Sequence, residues 1–384
     1  MPRTSSTRRA GSSTSPRAER SGPSSKLSLF GHTVSSPPSF APFRESPTPV
    51  TRRERILAAV AREPVDRAPY AFWRHFPAVD RAPTGLAQAT LRFHERYGSD
   101  VLVLTPPAEA TVEAWGCEPA DQPGPDGARP CARCAVQDPG GWGTIEPLDP
   151  AGAPGFVTML EAIVRLGFDR RIGDAPVLLA LPSPLSVARR LSADGLADGL
   201  RADPDRVETA LGAIAETLGR FVEAVLAEGL AGLVYTIDGA GLGPSAPAVY
   251  ARAGEPHDRQ LLQTVRRRGG LSLVHAAGPA PILERVLGLP ADATSWEDDA
   301  GAAAGSLAAR LTGAVLGGVD RRTLRDGTPD AARDEVQAAL QSTGGGGLIV
   351  SPGRPLLLDT PDRSVAAVVT MLGGRLHPLP GVAL

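Results

Sequence analysis

Residues 314–351 read AVLGGVDRRTLRDGTPDAARDEVQAALQSTGGGGLIVS, and they decide the fold. Ala314–Gly317 and Leu348–Ser351 are short apolar runs, and the stretch between them, Thr328–Ser342, is an amphipathic helix. Two such runs on either side of a helix form the unit of a parallel sheet, because a parallel strand must cross back over the sheet before the next can pair.

Working outward, the same alternation fills the chain. Apolar strand-like runs fall at Ala68–Phe72, Val101–Thr105, Val177–Leu181, Leu230–Ile237, Leu271–His275 and Ala293–Trp296, and the two quoted first make eight. Helical stretches such as Pro204–Glu228 separate them. Eight strand and helix units predict an α/β protein built as a single closed (β/α)8 TIM-type barrel. Order is expected to begin at Thr51, which stands three residues before Glu54 as a capping box, ahead of Ile56, Leu57 and Val60 at helical spacing. Pro64 ends that helix. The Gly-, Pro- and Asp-rich segment 120–150 reads as an excursion holding a small hairpin.

Residues 1–50 are rich in Ser, Pro, Arg and Thr, and Glu19 and Glu45 are their only acids. Such a segment buries too little apolar surface to order itself, so the expected division is a disordered tail over 1–50, a barrel over 51–376 and a short tail over 377–384. The expected location is cytoplasmic. An Arg- and Ser-rich, acid-poor leader also matches an organelle transit peptide, which keeps import as the alternative.

Composition narrows the chemistry. A chain of 384 residues with 42% hydrophobic content can bury a large core, and a net charge of -2 offers no positive field for nucleic acid or an anionic membrane. The expected partner is therefore a small molecule. Cys117, Cys131 and Cys134 are too few for a disulfide framework. Cys131-x-x-Cys134 has the spacing of half a zinc site, with no second pair to complete it. Lys26 is the only lysine. Schiff-base and pyridoxal phosphate mechanisms, which need an amine in the folded part, are disfavoured, while arginine is suited to gripping carboxylates with two prongs.

Barrel chemistry belongs to the loops that follow the strands. Those loops carry Trp73-Arg74-His75-Phe76, Asp238-Gly239, His275, Trp296-Glu297-Asp298-Asp299, Gly318-Val319-Asp320-Arg321 and Ser351-Pro352-Gly353-Arg354. Each cluster alone also reads as ordinary turn and cap chemistry: Asp320 suits a helix cap, His275 a strand-end histidine satisfied by a carbonyl, and the acidic trio a solvated loop. Gly344–Gly347 precedes a strand and so does not cradle phosphate as a dinucleotide loop does.

Together these clusters resemble the uroporphyrinogen decarboxylase superfamily, which includes the methylcobamide:coenzyme M methyltransferases, over roughly 51–372. The most specific stretch is Gly317-Gly318-Val319-Asp320, Gly327-Thr328-Pro329, Gly347 through Ser351-Pro352-Gly353, then Asp359-Thr360-Pro361. Arg53-Glu54-Arg55 through Asp66-Arg67, Ser99-Asp100-Val101, Pro184-Leu185-Ser186 and Asp238 onward are similar to earlier family segments. The resemblance implies the same (β/α)8 barrel.

The resemblance also implies roles. Asp100 corresponds to the central aspartate that receives pyrrole N–H groups, with Asp238 its rival; His275 and Asp320 complete the expected catalytic set. Arg74, Arg190 and Arg354 would orient substrate carboxylates, joined at the site by His75, Trp296 and Arg321, and His75 or His275 would supply a proton. Decarboxylating a pyrrole acetate needs no cofactor, because the protonated ring takes up the released electrons, so no cofactor or metal is expected. In the zinc methyltransferases the metal is held by a His-x-Cys pair and a later Cys; here those positions are His275, Ala277 and Arg354. The family's N-terminal Arg-Gln-Ala-Gly-Arg signature is absent, and Arg190 and Arg354 replace its tyrosine and late histidine. Three functions follow from the resemblance: a lyase for a porphyrinogen-type or other polycarboxylate, a corrinoid-dependent methyltransferase, or a barrel that binds a tetrapyrrole without turnover, with a homodimer as a possible assembly.

Overall fold

Thr51 opens the ordered chain as its spacing to Glu54 requires. In this computed structural model its side chain accepts from Glu54 N, while its own backbone N–H donates to the Glu54 carboxylate at 2.8 Å, a complete capping box on the helix Arg52–Val60. The structure describes residues 49–167, 169–193, 195–239, 246–277, 280–296 and 310–378. The expected tail before residue 49, Gly278, the acidic trio Glu297 to Asp299 and the chain end from 379 lie outside the described residues.

The predicted alternation folds into a parallel sheet. Its seven strands lie side by side in chain order, β1 (Leu102–Leu104), β4 (Val177–Pro182), β5 (Gly232–Asp238), β6 (Leu271–Ala277), β7 (Ala293–Trp296), β8 (Ala314–Gly318) and β9 (Leu348–Ser351), with β4 pairing directly with β1. Between β1 and β4 the chain makes its excursion, a short antiparallel hairpin of β2 (Glu118–Pro119) and β3 (Cys131–Arg133).

The eighth expected strand, 68–72, closes the sheet without forming a full ladder. Ala71 N donates to Val350 O at 2.9 Å, Val350 N to Pro69 O at 2.8 Å and Asp100 N to Tyr70 O at 2.9 Å, so the segment joins β9 to the start of β1. Two of its own donors are taken by side chains: Tyr70 N by the Asp100 carboxylate and Phe72 N by Ser99 Oγ. That competition leaves a single ladder bridge, Tyr70 to Val350.

Strand side chains alternate, and the alternation sorts the core. Ala71 and Trp73, Val101 and Val103, Leu271 and Leu273, Leu316 and Ile349 form one buried cluster inside the sheet. Ile56 and Ala59 of the first helix join that cluster and plug the end where the strands begin. Residues of opposite parity, such as Leu179, Tyr235 and Val274, face the outer helix layer. There Phe221 of the helix Pro204–Ala227 meets Phe156 of the helix Pro154–Leu166, with ring centroids 4.8 Å apart. Among the described residues no helix is long and apolar enough to cross a membrane.

Candidate active site

The parity that puts Trp73 and Leu273 inside puts the next inward side chains at the strands' C-terminal ends. These are His75, Asp238, His275, Ser295 and Ser351. Registered neighbours on β6 and β7, His275 and Ser295 share a hydrogen bond of 2.6 Å between Nδ1 and Oγ. A glycine lets the last loop come down onto them. Gly353 has φ +69, and a Cβ there would stand 2.6 Å from Ser295 Oγ, so Ser351-Pro352-Gly353 is a close-approach motif. Gly353 N–H donates to Ser351 Oγ at 2.9 Å, which fixes the turn.

His275 is 1% exposed, and its Nε2 is buried with no hydrogen-bond partner among the described residues. Burial, with Arg354 and Arg321 close by, holds its imidazole down to about 3, so the ring is neutral near pH 7. The zinc that the methyltransferase resemblance implies does not suit it, because Ala277 and Arg354 stand where thiolate ligands would be needed. No group of three His, Cys, Asp or Glu among the described residues is arranged to hold a metal ion.

Elsewhere on the mouth, Asp238 ends β5 and pairs with Arg189 Nη1 at 3.0 Å. Its backbone N–H donates to Ser186 Oγ at 2.8 Å, which ties the strand end to the helix Pro184–Leu191. Arg190, the next residue on that helix, donates to Ala108 O and lies within electrostatic reach of Asp238. His75 is 9% exposed, and burial holds it down to about 4. Gly127, with φ +90, packs so tightly on it that a Cβ would come within 2.6 Å of His75 Cβ. Arg189, Arg190, Glu109 and Arg129 line a cavity of about 430 Å³.

Four expected site residues go elsewhere. Asp100 lies at the opposite end of the barrel, ahead of β1, with 0% exposure; its oxygens accept from Arg55 Nη1 (2.7 Å), Arg67 Nη1 (2.7 Å) and Tyr70 N (3.0 Å). It is a clamp on the barrel floor with no free edge for a pyrrole. Arg74 has the outward parity and donates to Leu358 O at 2.7 Å, leaving the mouth to His75. Trp296, one residue past the inward Ser295, packs on the outer core. Asp320 accepts from Arg322 N at 2.7 Å and caps the helix Arg321–Asp326, so it is a cap and its neighbour Arg321 is the residue near His275.

Conversely, Asp80, Glu109, Arg129, Arg189 and Ser295 were not read from the sequence. Ser295 carried a signal, since it alternates with Trp296 and the wrong partner was chosen. Arg129 and Glu109 sit on irregular chain around the excursion, where no period assigns a face. The three cysteines meet at the hairpin: Ala135 N donates to Cys117 Sγ at 3.3 Å, all three are free, and burial raises each thiol, so they are inert packing groups.

The strand ends of this α/β barrel gather arginines, two neutral histidines and an inward aspartate at its mouth. Residues 51–373 match the family model of uroporphyrinogen decarboxylase (URO-D), and the chain belongs to that family. No curated protein matches it. Among solved structures, a methyltransferase from Methanosarcina mazei is similar, with a TM-score of 0.70 at 21% identity, over 84% of this chain and 98% of that one. A Listeria monocytogenes protein titled a putative vitamin-B12 independent methionine synthase matches at a TM-score of 0.38 and 15% identity, over 56% of this chain and 70% of that one, too distant to bear on the site.

Proposed function

We propose that this protein decarboxylates a polycarboxylate of the porphyrinogen type at the barrel mouth. The observation that carries the reading is the juxtaposition of an inward carboxylate, Asp238, with Arg189 and Arg190, together with Arg321 and Arg354 around His275. Asp238 accepts pyrrole N–H groups and stabilises the cation that forms when the ring is protonated. The arginines hold the acetate and propionate carboxylates, and the dry wall around His275 strengthens each of these interactions. His75 and His275, both neutral near pH 7, serve as hydrogen-bonding groups and not as the acid.

Support for this reading over methyl transfer comes from the donor set at His275, where alanine and arginine replace the implied zinc ligands. Anaerobic incubation with uroporphyrinogen, followed by separation of products by carboxylate number, tests it. The expected outcome is stepwise loss of carboxylates as carbon dioxide without added metal. Methyl transfer from methylcobamide to a thiol would overturn it, and so would tight tetrapyrrole binding with no conversion.

A further inference from the structure

The helix Pro83–Tyr97 packs against β1 from outside the sheet, and its buried face carries two polar side chains one turn apart, Thr90 and His94. Thr90 is 3% exposed and His94 4%. Among the described residues Thr90 Oγ1, His94 Nδ1 and His94 Nε2 have no hydrogen bond of ordinary geometry, although the Ile172 backbone is near enough to act on the ring. A third polar residue, Arg74, reaches the same layer by its outward parity. Its Nη2 donates to Leu358 O at 2.7 Å, while its Nε is buried without a partner among the described residues. Arg74, Thr90 and His94 line one narrow cavity, walled otherwise by apolar groups such as Phe72, Phe93 and Leu102. Its volume is about 10 Å³, close to what one water molecule needs and too little for a larger ligand.

The hydrogen-bonding groups around that space match one water. Burial and the nearby Arg52 hold the His94 imidazole down to about 4, so near pH 7 the ring is neutral and keeps one bare nitrogen that only accepts. Arg74 Nε–H only donates, and Thr90 Oγ1 does either. A water oxygen accepts from Arg74 Nε, and its two hydrogens go to the bare His94 nitrogen and to Thr90 Oγ1, which makes the three bonds usual for an internal water. An anion would suit Arg74 but would face the lone pair of His94.

We propose that this cavity is a binding site for a single internal water, which joins Arg74 Nε to Thr90 Oγ1 and His94 and so fixes the arginine that holds Leu358. The effect reaches the mouth through one contact: a Cβ at Gly127 would stand 3.2 Å from Leu358 Cδ2 and 2.6 Å from His75 Cβ, so Leu358 and His75 pack on the same glycine. Thr90 and His94 are therefore positioning residues for His75, although neither reaches it.

A crystal structure of the full chain, fine enough to show internal waters elsewhere, should place one water within hydrogen-bond distance of all three residues. A map with clear waters elsewhere and none here overturns the site, and a bromide peak there after soaking shows an anion in place of water and overturns it too. The positioning is read from the His75 ring resonances by NMR. Thr90→Val keeps the side chain's shape and removes one partner of the water; it should shift those resonances, and Thr90→Ser should return them to the wild-type values. Resonances that stay in place in Thr90→Val, or that move equally in both variants, overturn the positioning role. Should Thr90→Val fail to fold, Thr90→Ala, which also lacks the hydroxyl, takes its place. None of these measurements uses turnover, so each holds whatever reaction the mouth performs.

Discussion

Asp100 and Asp238 are both strand-end aspartates paired with arginine, yet they sit at opposite ends of the barrel and their surroundings differ in kind. On the floor, Asp100 is fully buried and meets two guanidiniums and a backbone N–H. Arg55 is itself held by Asp66 at 2.7 Å, so the charges of the floor are matched within the protein. At the mouth, Asp238 keeps partial access to solvent, and among the described residues His75 Nδ1, His275 Nε2 and Glu109 Oε2 have no hydrogen-bond partner. A buried polar atom without a partner costs free energy unless something outside the chain satisfies it. The floor is a finished joint, and the mouth keeps buried polar atoms that the described residues do not satisfy.

If that contrast is right, the largest effect belongs to the floor. Asp100→Asn strands Arg55 and Arg67 and should cost roughly 3–5 kcal/mol, the usual loss when one partner of a buried ion pair is removed, read as a lower urea midpoint. Turnover per folded molecule should hold. A stable Asp100→Asn protein that has lost activity would instead bring Asp100 back as the pyrrole acceptor.

The mouth should respond the other way. Arg354→Gln and Arg321→Gln should each cost less stability than Asp100→Asn, while each weakens binding of a polycarboxylate by roughly 10- to 100-fold, the worth of one charged hydrogen bond. Isothermal titration with the substrate or its oxidised analogue checks this. Loss of stability with unchanged binding would erase the distinction between the two ends.

The buried histidines sharpen the comparison through pH. The His275 imidazole is held near 3, below its ordinary 6.5, so the unfolded chain binds more protons than the folded one between those values. Its contribution to stability is complete above about 6.5 and is lost as pH falls toward 3. His275→Gln should therefore show a shallower loss of urea midpoint than the wild type over that window, and His75→Gln the same between 6.5 and about 4. Parallel curves for variant and wild type would mean that the rings are charged or solvated.

Much of this was legible in the sequence. The strands from Val177 to Ser351 fall within a residue or two of their expected bounds, because parallel strands buried on both faces write continuous apolar runs. His75, His275, Arg321 and Arg354 were legible as residues at or just past strand ends, whereas Arg190, inside a helix, was named only through the family resemblance. Asp100 was misplaced because a family pattern carries no barrel end with it, whereas strand polarity does: it precedes β1. Arg74 and Trp296 failed by one step of parity, as a period of two makes neighbours face opposite ways. Asp80, Glu109 and Arg129 left no trace because each sits outside the regular elements and they are brought together by tertiary packing alone.

The smallest effect decides between cap and catalyst at Asp320. Its carboxylate accepts from Arg322 N at 2.7 Å, and its own N–H donates to Glu335 Oε2 at 2.8 Å, so both its polar groups are spent on the helix Arg321–Asp326 and the helix Pro329–Ser342. Replacing a capping aspartate by alanine typically costs about 1 kcal/mol, and by serine much less, because serine also accepts from the first-turn N–H groups. Asp320→Ala should thus lower the urea midpoint slightly, Asp320→Ser should restore most of it, and both should keep kcat, with at most a small rise in KM if Arg321 loses its aim. A kcat that falls in both variants would show that the carboxylate itself, and not the helix it starts, serves the substrate.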